Sequence, residues 1–421
     1  MAPALSDFKP QPAPEVTPAA KSAIGEGLVK EAQAFADELD GWRHDLHQIP
    51  ELGNDLPQTS AYIQARLTEM GIPFRTLVGG SCVVGLIGVG AAAAAEGDGT
   101  CTDAQAGTVI MLRGDMDALP VAEESGEPFA STNGRMHACG HDMHATALLG
   151  AARLLKAREA ELVAANATFE GARAAIADGL LEAPRPQAAF AMHVNSQSPV
   201  GLVLFGSPAL SGVYGFRITL QGKGGHGSSP EICIDPITAG VHVHLALQEL
   251  IAREVPAAKE VALTVGKFAG GQAANVIPDA CVLEGTLRGF DVELMAHLKA
   301  RIAEVVNGVA ATYRTPATIE TLSDVPPLVL DDDMTHAALG YVGAALPRTT
   351  FLPLFHAMAS EDFALISSEI PSAYFTVGAA ATDTAEHFAQ HHPKARFDDA
   401  ELPLGAAAYA AVALGYIADH R

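Results

Sequence analysis

The 421 residues predict an α/β protein whose larger part, built on a mixed sheet, is interrupted by a smaller ferredoxin-like unit. Three observations carry this prediction. Apolar strand patterns at 74–78, 82–88, 108–113 and 188–194 alternate with stretches of helical spacing, the layout of a sheet covered by helices. Between 211 and 322 the order becomes strand, helix, strand, strand, helix, strand, with the helices at 235–251 and 292–313, which is the β-α-β-β-α-β unit. A dense polar cluster, His137 to His144, lies on the turn into a helical pattern (Ala145, Leu148, Leu149, Ala152, Leu155), beyond a sheet edge where side chains converge. The expected boundaries are an arm over 1–18, the larger part over 19–205 and 325–421, and the inserted unit over 206–324.

Residues 1–18 are rich in Pro and Ala without periodicity and read as a mobile, disordered arm. One amphipathic helix is expected over 24–46, carrying the only tryptophan, Trp42, and a second over 58–70, stopped by Gly71 and Pro73. The Ala-rich and Gly-containing stretch 91–106 reads as a surface loop.

Composition excludes several classes. Hydrophobic residues make up 49% and charged residues 18%, enough apolar material for two cores. Asp and Glu number 49 against 26 Lys and Arg, a formal charge of −23 that repels phosphate backbones and anionic lipid, so neither nucleic acid nor membrane is an expected partner. The N-terminus lacks a basic-then-apolar leader pattern, which points to a cytoplasmic enzyme. Five cysteines without paired spacing read as free thiols rather than a disulfide framework.

Within His137-Ala138-Cys139-Gly140-His141-Asp142-Met143-His144, thiolate and imidazole are the ligand types of zinc-like ions, and Cys139 and His141 can aim at one ion from an irregular turn. The competing reading is a buried thiol beside histidines that cap a helix. Asp115 and Asp117 follow the strand 108–113, either orienting a ligand histidine or merely forming the turn. Glu123 and Glu124 either support the same site or are solvated.

Taken together, Gly114–Val121, His137–His144, Ala191-Met192-His193-Val194, Gly224-Gly225-His226-Gly227, 270–278 and His391-His392-Pro393 resemble the dimetal amidohydrolases that include hippurate hydrolases, N-acyl-amino-acid deacylases and auxin-conjugate hydrolases. The match runs from about Gly27 to Ile417. The resemblance implies a metallopeptidase-type α/β domain, an inserted dimerisation domain and cleavage of the amide between an acyl group and an amino acid. It makes Cys139, His141, His193 and His391 metal ligands, with His392 as the lesser choice beside His391. It makes His226, reaching across a dimer, and Asn275 and Arg288 substrate-binding residues. An Arg suits a substrate carboxylate because its fork pairs bidentately, although Arg288 also reads as a solvated edge-strand charge. Asp142 and Asp362 are candidates for holding ligand rings, or for capping helices.

One departure stands out. The family continues after this helix with a buried strand and a Gln-Pro-Ala-Glu-Glu segment that supplies the general base and a further metal ligand. Here the chain reads Val163-Ala164-Ala165-Asn166-Ala167-Thr168-Phe169-Glu170-Gly171-Ala172-Arg173, so a strand and the catalytic pair are expected to be missing, and Glu170 is only a weak candidate base. The expected cofactor is a divalent metal (Zn, Mn, Co or Ni), one ion held tightly and a second weakly or not at all. Three functions stay open: an amidohydrolase of impaired activity acting as a homodimer on N-acyl amino acids or peptides, a catalytically silent relative, or a structural zinc protein.

Overall fold

The computed structural model describes residues 9–88, 107–164, 167–170, 176, 178–182, 184–353 and 357–421. It divides into two compact units, one of Met1–Ser207, Leu330–Phe355 and Ile366–Arg421, the other of Pro208–Val329 and His356–Leu365. The expected loop over 91–106 lies outside the described residues.

The first unit carries a seven-stranded mixed sheet in the order β14-β7-β15-β6-β4-β5-β3. Its strands are β3 (Ile87–Gly88), β4 (Thr108–Arg113), β5 (Ala167–Glu170), β6 (Ala188–Asn195), β7 (Leu202–Phe205), β14 (Thr350–Pro353) and β15 (Ser372–Gly378). A separate hairpin pairs β1 (Phe74–Leu77) with β2 (Cys82–Gly85). Central β4 and β6 are parallel, with Arg113 opposite Ala191, so their carboxyl ends lie side by side. Both read as unbroken apolar runs because both faces are covered, as buried parallel strands require.

The expected gap in this sheet is corrected. The chain after α5 (His141–Lys156) and the short α6 (Glu159–Ala164) forms β5, which pairs in parallel with β4 and antiparallel with β3. A central parallel strand cannot leave its backbone groups unpaired, and the residues nearest in sequence fill the slot.

The helix expected over 24–46 is two, α2 (Leu28–Gln33) and α3 (Ala36–His47), and a further helix, α1 (Pro18–Ile24), precedes them and meets the expected span only at Ile24. Gly25 ends α1 at φ 66, a left-handed conformation that a glycine adopts without steric cost, and Gly27 starts α2. α4 (Pro57–Glu69) follows. The arm is placed from Lys9 onward, where mobility was expected; residues 1–8 lie outside the described residues. Gln11 bridges Phe351 of the edge strand β14, donating its N–H to the Phe351 carbonyl at 2.9 Å, and so covers an edge that would otherwise be exposed. α9 (Asp332–Ala345) offers Gly343 to this segment; a Cβ there would lie 2.2 Å from the Ala13 Cβ.

At the centre of the core is α10 (Glu401–Asp419), packed on α1, α2, α5, α9 and β4. By length and composition it could cross a membrane, yet 89% of its apolar window is buried inside the protein, which makes it a core helix. Its small residues let neighbours approach: a Cβ on Gly150 of α5 would stand 2.8 Å from the Ala406 Cβ.

The second unit is a four-stranded antiparallel sheet, β10-β12-β8-β13, with β8 (Gly212–Gln221), α7 (Pro236–Glu254), β10 (Val261–Gly270), β12 (Ala280–Gly289), α8 (Val292–Thr312) and β13 (Ala317–Val325) in β-α-β-β-α-β order. A short ribbon of β9 (Gly225–His226) and β11 (Val276–Ile277) is added to it. Phe216, Ile218, Leu220, Val243, Leu247, Leu298 and Ile302 form its core.

Candidate metal centre

The site forms at the carboxyl ends of β4 and β6, where a sheet of this type leaves room between departing chains. Tyr409 of α10 sits at this junction: its hydroxyl donates to the Arg113 carbonyl at 2.7 Å and accepts from the Met192 N–H at 3.2 Å. The turn before α5 delivers Cys139 and His141 on either side of Gly140. Gly140 has φ 88, and a Cβ there would meet the Val194 Cγ2 at 2.4 Å, so only glycine lets the turn lie against β6.

Cys139, His193 and His391 converge. Cys139 Sγ lies 3.4 Å from His193 Nε2 and 3.3 Å from His391 Nε2. Burial pushes the thiol up, but the His193 charge and hydrogen bonds from His141, His193 and His391 outweigh it and bring Cys139 down to about 3, a thiolate at neutral pH. His193 is lowered by burial and raised more by this thiolate, to about 9. His391 is held at φ 70, an uncommon conformation for a residue with a side chain, by its N–H to the Ala138 carbonyl at 2.9 Å. His392 instead stacks on Phe388 with ring centroids 4.4 Å apart.

His141 faces two carboxylates, Nδ1 to Asp117 Oδ1 at 3.0 Å and Nε2 to Asp115 Oδ2 at 3.3 Å. Its pKa lies well above the ordinary imidazole value: burial lowers it, and Asp115 with the bond to Asp117 raises it more. Asp115, His141, His144 and His193 offer ligand atoms all within 4.8 Å of one another. Within that group His144 has both nitrogens engaged. Nδ1 donates to Asp115, and Nε2 accepts the Val194 N–H at 2.9 Å. Asp115 is held well below the carboxylate range because Arg113 and the two histidines outweigh its burial.

The donor set fits a divalent cation. Metal–sulfur bonds of about 2.3 Å and metal–nitrogen bonds of about 2.0–2.1 Å at tetrahedral angles place S and N about 3.5 Å apart. The separations at Cys139 are 3.3 and 3.4 Å.

Asp142, a candidate for orienting ligand rings, is directed elsewhere. Its Oδ2 accepts from Arg43 Nε at 3.0 Å and pairs with His47 Nδ1 at 2.8 Å. His47 Nε2 reaches Glu123 Oε1 at 3.0 Å, and Arg43 Nη1 reaches Asp399 Oδ1 at 2.5 Å. This buried network was not found from sequence; the only signal was the spacing of Arg43 and His47, one helical turn apart. Glu123 is therefore buried rather than solvated, and the Glu124 N–H donates to the Pro393 carbonyl at 2.8 Å. The ring-orienting partners are Asp117 for His141 and the Val194 carbonyl for His193, which accepts from Nδ1 at 2.7 Å.

In the second unit, His226 of β9 lies opposite Val276, and the Gly227 N–H donates to the Asn275 carbonyl at 2.8 Å. His226 Nδ1 accepts the Ser228 N–H at 3.1 Å. Arg288 is on β12, flanked by β10 and β8, so the edge-strand reading is corrected; its Nη1 donates to the Met358 carbonyl at 2.7 Å. Asp362 is buried in this unit. The backbone of Glu170 pairs beside Met111 of β4, and its side chain lies outside the described residues. Among the described residues Cys139, Cys233 and Cys281 are in no disulfide, and Cys101 lies outside the described residues.

A family model described as peptidase family M20/M25/M40 matches residues 111–415. The chain is 34% identical over 397 residues to the IAA-amino acid hydrolase ILR1-like 4 of Arabidopsis thaliana, covering 91% of this chain and 86% of that one. It is 35% identical over 382 residues to the N-acetyl-L-cysteine deacetylase of Bacillus subtilis strain 168, covering 87% and 85%. Among solved structures, a dinuclear metal-binding peptidase of the M20 family from Bacillus subtilis superposes with a TM-score of 0.71 at 29% identity, covering 91% of this chain and 98% of that one. A putative aminohydrolase from methicillin-resistant Staphylococcus aureus superposes with a TM-score of 0.81 at 29% identity, covering 93% and 99%.

Proposed function

Because the chain belongs to the peptidase family M20/M25/M40, we propose that it hydrolyses the amide of N-acyl amino acids or short peptide-like substrates with a divalent ion held by Cys139, His141, His193 and His391. The observation that carries the reading is the Cys139 sulfur, kept as a thiolate by imidazoles from three separate elements. When bound, such an ion acidifies a water and polarises a carbonyl. The protein's part is to aim the donors: Asp117 and the Val194 carbonyl fix the His141 and His193 rings, and Asp115 adds negative charge beside them. His226, Asn275 and Arg288 bind substrate, Arg288 through its carboxylate-matching fork. The chain contains no Gln-Pro-Ala-Glu-Glu segment between Val163 and Arg173, which supports one tightly held ion rather than two and a reduced turnover. Exposed Ile232, Val241 and Leu245 on the inserted unit support a homodimer through that unit, and the unpaired spacing of the cysteines in the sequence supports a cytoplasmic location.

The test is hydrolysis of hippurate and N-acetylcysteine by dialysed protein supplied with zinc, manganese, cobalt or nickel. Metal-dependent release of the amino acid is expected, below the roughly 10 per second typical of enzymes. Retention of one ion per chain without any release would support instead the silent relative, the reading that the missing segment favours. Light scattering that finds a monomer at micromolar concentration would remove the dimer.

A further inference from the structure

We propose that Gln390 is a positioning residue that fixes the His193 ring and the His391 loop together through one shared acceptor, the Val194 carbonyl; the proposal rests on the reading that these imidazoles hold a divalent ion. Gln390 Nε2 donates to the Val194 carbonyl at 2.6 Å, and His193 Nδ1 donates to the same oxygen at 2.7 Å. A carbonyl oxygen has two lone pairs, and here each takes one of these donors. The acceptor also decides which end of the Gln390 amide faces it, since only the NH2 group can donate.

Two consequences follow. With Nδ1–H committed to the Val194 carbonyl, Nε2 is the nitrogen that His193 turns toward Cys139, 3.4 Å away, and the one a metal ion would take up in place of its proton. Gln390 immediately precedes His391, whose φ of 70 must be held against a preference for other conformations. Three further bonds tie the same loop to neighbouring chain: His391 N–H to the Ala138 carbonyl at 2.9 Å, Ser196 Oγ to the Phe388 carbonyl at 2.7 Å and Gln197 Nε2 to the His387 carbonyl at 3.4 Å. Of the side-chain donors, Gln390 alone shares an acceptor with a site imidazole. The Val194 N–H meanwhile donates to His144 Nε2, so the two backbone groups of one residue hold the rings of two histidines.

The experiment compares Gln390→Met, which keeps length and loses the donor, with Gln390→Lys, which keeps a donor. In the metal-free full chain at pH 10, above the value of about 9 to which the Cys139 thiolate raises His193, 15N NMR of labelled histidine reads the His193 tautomer; cobalt titration of the same proteins at neutral pH, followed through the thiolate charge-transfer band, reads affinity. Gln390→Met is expected to mix the His193 tautomers and weaken cobalt binding by about tenfold to hundredfold, as for other partners behind a ligand. Gln390→Lys is expected to restore both. The proposal is overturned if Gln390→Met keeps a single Nδ1–H tautomer, whether or not its melting temperature falls. It is also overturned if the tautomers mix but cobalt affinity equals that of the parent. If the parent itself binds no cobalt, the proposed function fails and the tautomer readout alone decides the role of Gln390.

Discussion

At Cys139 one sulfur is set by three rings, and its state at neutral pH is decided by them rather than by its exposure. Cys139→Ser replaces this thiolate by a neutral hydroxyl, a poor donor to a borderline-soft ion. Metal retention against a chelator is expected to fall by more than the roughly 10–100-fold typical of an outer partner, with the fold intact by circular dichroism. Unchanged retention would exclude Cys139 from the ligand set. Behind the site, His47 is lowered by burial but raised more by the Asp142 charge and by bonds to Asp142 and Glu123, reaching about 9. A folded value above the ordinary 6.5 means that its contribution to stability is complete below about pH 6.5 and is lost as pH rises through about 9. Asp142 is held far below its ordinary value and does not titrate in that window. The urea midpoint of the parent is expected to drop between pH 6.5 and 9, and that drop should shrink in His47→Gln. Equal drops in both proteins would show that another group controls it.

Among the elements, the turn into α5 and the segment leading to α1 depend on single glycines for different ends. Gly140→Ala must place a Cβ 2.4 Å from Val194 Cγ2 at φ 88, so β6 and the turn have to separate. A loss of about 1–3 kcal/mol is expected, together with weaker metal binding, because Cys139 and His141 flank the residue. Stability and metal affinity that both match the parent would show that the contact relaxes freely. Gly343→Leu acts far along the chain, at the contact with Ala13. It is expected to release the segment from Lys9 to Val16 and expose it to limited proteolysis while metal affinity stays unchanged. Protease resistance equal to the parent would mean that the Gln11–Phe351 bridge alone holds the segment.

For the molecule as a whole, β5 occupies the slot beside β4 with four residues, pairing with β4 on one side and β3 on the other. The proposed lack of the Gln-Pro-Ala-Glu-Glu segment is therefore expected to cost chemistry rather than folding. A positioned carboxylate that shuttles a proton is worth about 10²–10⁴ in rate. Inserting a strand and Gln-Pro-Ala-Glu-Glu before Glu170 is expected to raise turnover by that order, and changing the first Glu of the insert to Gln should remove the gain. A parent that already turns over at the enzyme-typical rate and is abolished by Glu170→Gln would make Glu170 the base and sink this account.

The sequence by itself determined the β-α-β-β-α-β order of 211–322, the buried strands 108–113 and 188–194 and the family, because apolar periodicity and short motifs are local properties of a chain. It also selected Cys139, His193 and His391, and the fold brings the Nε2 atoms of the two histidines to 3.4 and 3.3 Å from the Cys139 sulfur. Only the tertiary structure decided that Asp142 serves Arg43 and His47 rather than a ligand ring, since that choice depends on where α3 packs. The break between α1 and α2 turned on the conformation of Gly25, and the placed arm on an edge strand more than three hundred residues away. β5 is the clearest case. Residues 167–170 are too few for their own periodicity to declare a strand, and they form one because β4 and β3 present unpaired backbone on either side.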